Sequence, residues 1–520
     1  MVRFWEICSY YRVEEIIGGD DLKRYHKHLV LSILLILFLT SCNVINRTPT
    51  LVVDDYNGID LNMIHKYEIE VDFNPINKTY TGYQRLTYVN NTKATLEEVY
   101  FHLYPNAYKR LETAPILFNE DTLSKGYVPG YIEIKEAKVE GEEADYFVEG
   151  QGDTILKVDL SAPLKDREKI EIELRYEGKL PLNIDRFGYG ENVFNFGNWY
   201  PIACVYDDSG WNLDPYYSLG DPFYSDVANY NVKIKVPKDM VVASSGTIVR
   251  EKRHRDRTIY HIEGRLIRDF AWVASEDFLV MESYAGDTLV KLYALEEDEA
   301  AAKIAMEAGI KSLELFSTLF GKYPYGVYSI VMTGFPTGME YPGIVFINKE
   351  YYSESYKDYL EQVIVHETAH QWWYGVVGND QIDEPWLDEA LATYSEVIYM
   401  HNIYGEGAGK DYYRYYFQLP YEYMVDNIET DGRILKSLDD FKSWDEYGLL
   451  VYTKGAMFIN SIREDFGMDT LYDILKEYYG RYRFTFAKTE DFIHICEEVT
   501  GRSFQDRFNN WFLRNKNGGI

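Results

Sequence analysis

Cysteine is scarce in this chain of 520 residues: Cys8, Cys42, Cys204 and Cys496 are the four present, and no two are closely spaced. Neither a disulfide framework nor a thiolate zinc site is therefore expected. Basic charge is also in short supply, with 53 Lys and Arg against 84 Asp and Glu, a net charge of -31 and a pI near 4.8. That argues against a nucleic-acid partner, because phosphate binding needs a basic face and counterion release. The acidity reads as a solvated surface, with attraction of basic peptides as a narrower alternative. Long apolar runs are missing too: Leu29–Leu39 falls short of the roughly 18 to 20 residues of a spanning helix. What remains is globular in composition, 46% apolar and 26% charged, and too long for one ordinary core, so two large folded units are expected.

The short apolar run has a meaning of its own. Lys23, Arg24 and Lys27 precede it and Leu39-Thr40-Ser41-Cys42 follows, the layout of a secretory signal. Its end resembles the lipobox of bacterial lipoproteins, which implies a lipid on Cys42 and an extracytoplasmic, membrane-anchored place in the cell envelope. Residues 1–21 lie outside such a signal, and Gly18-Gly19-Asp20 reads as a translated ribosome-binding sequence ahead of an alternative start at Leu22. Residues 1–41 are thus expected to be extension plus signal, and 42–55, polar and aperiodic, a tether.

Periodicity divides the rest. Tyr67, Ile69, Val71 and Phe73 alternate with polar residues, as do Ile170, Ile172, Leu174 and Tyr176, and Val232, Ile234 and Val236. Period two means half-buried strands, so residues 56–281 read as a β-rich domain of packed sheets. From residue 282 the pattern turns helical, apart from a strand in Val327–Phe335, through to residue 520. The expected fold class is multidomain α+β, an all-β domain followed by a mostly helical one.

Within the helical half, His366 and His370 are four apart, so one helix face presents both to a single ion, and neutral imidazole suits zinc. Glu367 between them can hold a water on that ion. A catalytic zinc needs a third protein ligand and an open fourth position. The segment Asp383–Met400 offers Glu389, beside an apolar stripe of Leu387, Leu391, Tyr394 and Ile398, with Asp383 as the expected cap and Pro385 in the first turn. Asp388 and Glu384 read as exposed helix carboxylates. From residues alone, Glu389 stays a candidate ligand.

His366-Glu367-x-x-His370 with Glu389 in Trp386-Leu387-Asp388-Glu389-Ala390 resembles the aminopeptidase N family of gluzincin metallopeptidases. Thr337–Gly343 is similar to that family's Gly-x-Met-Glu-Asn motif, with Tyr341 in place of Asn, and Val451–Ala456 to its Tyr-x-Lys-Gly-Ala segment. The resemblance implies a thermolysin-like catalytic domain over 282–520 and one zinc held by His366, His370 and Glu389. It implies Glu367 as general base toward zinc-bound water, and Tyr452 as hydrogen-bond donor to the developing oxyanion. Glu340 would pair with the substrate's free amine, with Gly338 and Met339 lining the cleft. Tyr447 is a weaker candidate beside Tyr452, and Glu396 reads equally as a carboxylate orienting a zinc histidine or as a surface group. The family's larger members continue into a long helical domain, whereas this sequence is expected to finish with the thermolysin-like unit; the Gln-x-Glu amine grip of many relatives has no clear match, Asn195 being a poor stand-in.

The expected activity is removal of amino-terminal residues from peptides with free amino ends. A thermolysin-type endopeptidase uses the same zinc chemistry, and Glu340 argues against it. A non-catalytic peptide-binding lipoprotein has no need of a general base.

Overall fold

The computed structural model describes residues 48–115, 126–295 and 299–513. The expected signal and lipobox, with Cys42, lie outside them. Alternation governs the first half: in His65–Asn74 and Lys169–Lys179 the odd-numbered and even-numbered apolar residues named above are buried, as in a sheet with one wet face. Both strands belong to an eight-stranded sheet in the order Thr247–Arg253, Arg257–Ile267, Ala228–Pro237, His65–Asn74, Thr79–Val89, Lys169–Lys179, Tyr131–Val139, Glu142–Glu143. Its pairs are antiparallel except His65–Asn74 with Ala228–Pro237. Two four-stranded sheets cover the apolar face. Phe73 meets Phe196 and Trp272 edge-on, those two rings stack 3.7 Å apart, and Tyr67 Oη accepts from Ala203 N at 3.0 Å.

A five-stranded sheet follows, in the order Leu279–Ala285, Thr288–Ala294, Val327–Thr333, Ile344–Asn348, Gly338–Met339. Because Leu279–Ala285 pairs with Thr288–Ala294, the change of sheet falls between Ser275 and Leu279, slightly ahead of residue 281. The three central strands are parallel, and helix α1 (Glu299–Leu319) makes the crossover that a parallel pair needs. Beyond it come α2 (Lys357–Ala369), α3 (Trp386–Tyr404), α4 (Glu406–Tyr413) and α5 (Gly455–Phe466), with further helices to residue 513. A β-rich layer followed by a mostly helical one is the fold class expected from the sequence.

Part of the stretch read as a tether is docked. Leu51 bridges Tyr325, and Val52 N donates to Pro324 O at 2.8 Å. Polarity concealed this because the pairing is made by backbone groups, which every residue carries. The two layers are joined by Arg268, buried to 1% exposure, which donates to the carbonyls of Ser225, Tyr374 and Thr485 at 2.6, 3.1 and 3.1 Å. Five donors in a rigid fork let one guanidinium satisfy three carbonyls from both halves. This fixes the loop between α2 and α3 against the β layer.

Candidate metal centre and its cleft

His366 lies in the last turn of α2 and His370 caps it, while Glu389 lies in the first turn of α3. Pro385 opens α3 in the αR conformation without a side-chain cap. Asp383, the expected cap, does not serve; Asp380 Oδ1 instead accepts from the Ile382 and Asp383 amides at 2.9 and 3.1 Å, turning the loop. The two imidazole Nε2 atoms are 3.1 Å apart, and each is 3.3 Å from Glu389 Oε2.

These three groups fit a cation. His370 Nδ1 donates to the Trp373 carbonyl at 3.1 Å, and His366 Nδ1 to Glu396 Oε1 at 2.8 Å. Both neutral rings then turn Nε2 lone pairs toward the same point, where Glu389 Oε2 is buried without a hydrogen-bond donor. Three converging lone pairs repel one another unless a positive charge sits among them. The nitrogen and oxygen donor set and the open cleft side suit zinc. Glu396 is therefore no surface carboxylate: it also accepts from Gln362 Nε2 at 3.2 Å and from Tyr412 Oη, which hold it on His366.

Glu367 faces a cleft of about 300 Å³ whose walls include Asp221, Gly338, Glu340, Gln362 and Tyr452. Its Oε2 has no hydrogen-bond partner. Burial, opposed by His366 and His370 and assisted by Glu340, pushes its carboxyl up to about 8. Gly338 is required beside it, since a Cβ there would lie 2.1 Å from Glu367 Oε1. Tyr452 Oη donates to Glu389 Oε1 at 2.5 Å, and its ring lies parallel to His366 with centroids 6.0 Å apart. It sits in a π-helical turn, Gly448–Lys454, a widening that often marks functional sites. Tyr447 packs edge-on against it at 5.7 Å, with its buried hydroxyl unpartnered.

Glu340 is 3% exposed, and its carboxylate accepts only weakly from Gln381 Nε2, at 3.4 Å. Burial and the repulsion of Asp221, Glu389 and Asp388 push its carboxyl well above the usual range. Met339, expected on the cleft wall, is instead buried on the other side of this short strand, where its Sδ accepts from Arg186 Nε at 3.1 Å. Successive strand residues face opposite ways, so Gly338 and Met339 do not line the cleft together. Arg186 itself is bound by Asp221 and by Gly220 O. Tyr341 reaches the β layer, where its hydroxyl bonds Asn198 against Gly197. Asn195 donates to Asp185 O at 2.9 Å and is not among the cleft-lining residues.

The reading of Asp388 and Glu384 as exposed is corrected. Asp388 is 1% exposed and accepts from Gln381 and Asn379 at 2.6 and 2.9 Å, while Glu384 accepts from Thr489 N at 2.6 Å. Helix α3 is buried on all sides from Trp386 to Tyr399, so Asp388 takes its partners from the loop just before the helix, while Glu384 in that loop reaches Thr489. Asp221, Arg186 and Gln381 had not been singled out; no motif or spacing marks them.

Two imidazoles and a carboxylate from paired helices, with a glutamate beside them, make the donor arrangement that the HExxH resemblance implies for a gluzincin-type zinc site. Residues 304–511 match the family model described as "Peptidase family M1 domain". Over that stretch the match supports the aminopeptidase N resemblance of the chain's motifs. Among curated proteins it is similar to aminopeptidase M1-B of Oryza sativa, 23% identical over 300 residues, covering 55% of this chain and 34% of that one. It is also similar to human endoplasmic reticulum aminopeptidase 2, 24% identical over 296 residues, covering 51% and 29%. The chain spans about a third of the length of the curated relatives it matches. Among solved structures it shares its fold with an M1 zinc metallopeptidase of Deinococcus radiodurans, TM-score 0.60 at 15% identity, covering 86% of this chain and 93% of that one. Both that structure and a second one, bound to a Tyr-Ser-Ala substrate and matching with TM-score 0.60 at 16% identity and the same coverage, are of a glutamate-to-alanine mutant of that enzyme.

Proposed function

We propose that the chain is a zinc-dependent aminopeptidase acting on peptides with free amino ends. The observation that carries this reading is the position of Glu340. Its carboxylate lies within 4.8 Å of a His370 ring nitrogen and of Asp388, beside the metal ligands, and forms no ion pair among the described residues. One extended residue spans about 3.4 Å, so an ammonium held there leaves room for a single residue before the bond at the metal. An internal cutter would bury the same carboxylate at a loss, because an unpaired buried charge is strongly unfavourable.

Bound at His366, His370 and Glu389, one zinc ion would supply Lewis acidity toward water and carbonyl. Glu367, buried beside the metal ligands with its Oε2 unpartnered, is placed to take a proton from the attacking water and pass it to the leaving amine. Tyr452 can turn its hydroxyl from Glu389 to the carbonyl oxygen as negative charge develops there. Glu396 holds His366 in the tautomer that keeps Nε2 free.

A panel of free and amino-acetylated peptides, assayed with and without chelator, tests the proposal. Chelator-sensitive release of first residues from free peptides alone is expected, and cleavage of acetylated peptides at internal bonds would support the endopeptidase reading. Attachment to the cell envelope by a lipid on Cys42 is proposed from the sequence alone. Loss of membrane fractionation on Cys42→Ala is the expected result, and unchanged fractionation would refute it.

A further inference from the structure

A second cavity, of about 480 Å³, lies across α2 from the catalytic cleft. Its walls include the carboxylates Asp358, Glu361 and Asp411 and the tyrosines Tyr404, Tyr415 and Tyr416, with no lysine or arginine among the described lining residues. Asp358 and Asp411 are exposed, and Glu361 accepts from the neutral hydroxyls of Tyr399 and Tyr404. Tyr415 and Tyr416 are 61% and 51% exposed, unusually wet for large rings. Carboxylates among aromatic faces make a receptor for an ammonium or guanidinium group carried on an aliphatic stem.

The cavity adjoins the cleft, because Gln362 and Glu396, bonded to each other at 3.2 Å, form a wall common to both. Its direction from the metal follows from the helices. Glu340 groups with His370 and Asp388 at one end of the site, whereas Gln362 and Glu396 stand beside His366 at the other. A peptide with its amine at Glu340 and its first carbonyl at the metal must run on toward Gln362. From His366 to Asp358 is eight residues of helix, roughly 12 Å at 1.5 Å each. Extended peptide covers that in about three to four residues.

We propose that this cavity binds a basic side chain on the third or fourth residue downstream of the cut, giving the enzyme a preference for peptides with lysine or arginine there. The proposal rests on the aminopeptidase reading and adds a specificity site outside the catalytic centre. Sequestering the cation among acids and rings also gives the chain's large negative charge a local target.

The test is steady-state hydrolysis of a leucyl anilide, which ends at the metal, and of a leucine-headed hexapeptide series with one lysine or glutamate placed at each downstream position. Lysine at the third or fourth downstream position should lower KM roughly five-fold relative to glutamate, the range of one or two exposed ion pairs. Asp358→Asn/Asp411→Asn should abolish that difference while anilide turnover is unchanged, and Asp411→Lys alone should reverse it. Lysine preference confined to the residue next to the cut, or persisting in both variants, would overturn the site. Absence of anilide and peptide hydrolysis in the parent chain would instead sink the aminopeptidase reading. If the double variant alone loses anilide turnover, an unreversed preference in Asp411→Lys still refutes the site.

Discussion

Gly338→Ala isolates the proposed general base, Glu367, from the metal ligands beside it. The new Cβ would lie 2.1 Å from Glu367 Oε1, 2.5 Å from Cδ and 2.6 Å from Cγ. Carbon and oxygen need about 3.5 Å, so the carboxylate must retreat by roughly 1.4 Å. The clash is with the end of a flexible side chain, so the fold should survive with a loss of roughly 1 kcal/mol, the low end for overpacking. Catalysis tolerates far less, since a displacement of about 1 Å in a positioned group costs about 100-fold. The expected result is a kcat about 100-fold down, one zinc per chain retained, and a Tm within a few degrees of the parent. In a Glu367→Ala background, where nothing remains to clash, Gly338→Ala should change the residual rate no further. Full turnover by Gly338→Ala, or equal losses in both backgrounds, would refute the argument that this glycine exists to seat Glu367.

Other perturbations separate the remaining roles. Glu396→Gln weakens the charge-assisted hold on His366 and should loosen zinc about 10- to 100-fold in chelator competition, without changing the preference for free amines. Tyr452→Phe should lower kcat by about 3 kcal/mol of transition-state binding with KM little altered, and a pure KM effect would reassign the residue. Glu340→Ala should damage free-amine substrates far more than acetylated ones, measured as the ratio of kcat/KM. Lys454, whose Nζ donates to Gly432 O, is held by burial down to about 8. The unfolded chain keeps that proton to about pH 10.4, so between about pH 8 and 10.4 the unfolded state binds more protons and this group's contribution to stability rises with pH. Lys454→Met should accordingly gain stability over the parent in urea titrations at pH 7, and the gain should vanish near pH 10.

Much of this was legible because short-range rules carried it. Alternation at Tyr67 to Phe73 marked a sheet face, and the spacing of His366 and His370 put both on one helix face. The role of Glu396 needed the crossing of α2 and α3, which sequence spacing does not encode. Asp388 looked exposed because its acceptor atoms are satisfied by Asn379 and Gln381, in a loop whose path depends on Arg268 reaching from the other layer. Asp221 and Arg186 enter the cleft from the β layer as a buried pair of opposite charge, and no local pattern connects either to the HExxH helix. Met339 was misplaced for a simpler reason, the two-residue period of the strand it shares with Gly338.

Anomalous scattering at the zinc edge, recorded from crystals grown with one equivalent of zinc, tests the central claim most directly. A single peak about 2.0–2.1 Å from Nε2 of both His366 and His370, and about as near Glu389, is the result this account predicts. A peak among Glu340, His370 and Asp388, whose donor atoms also lie within 4.8 Å of one another, or no ordered zinc in an enzyme still active, would contradict it.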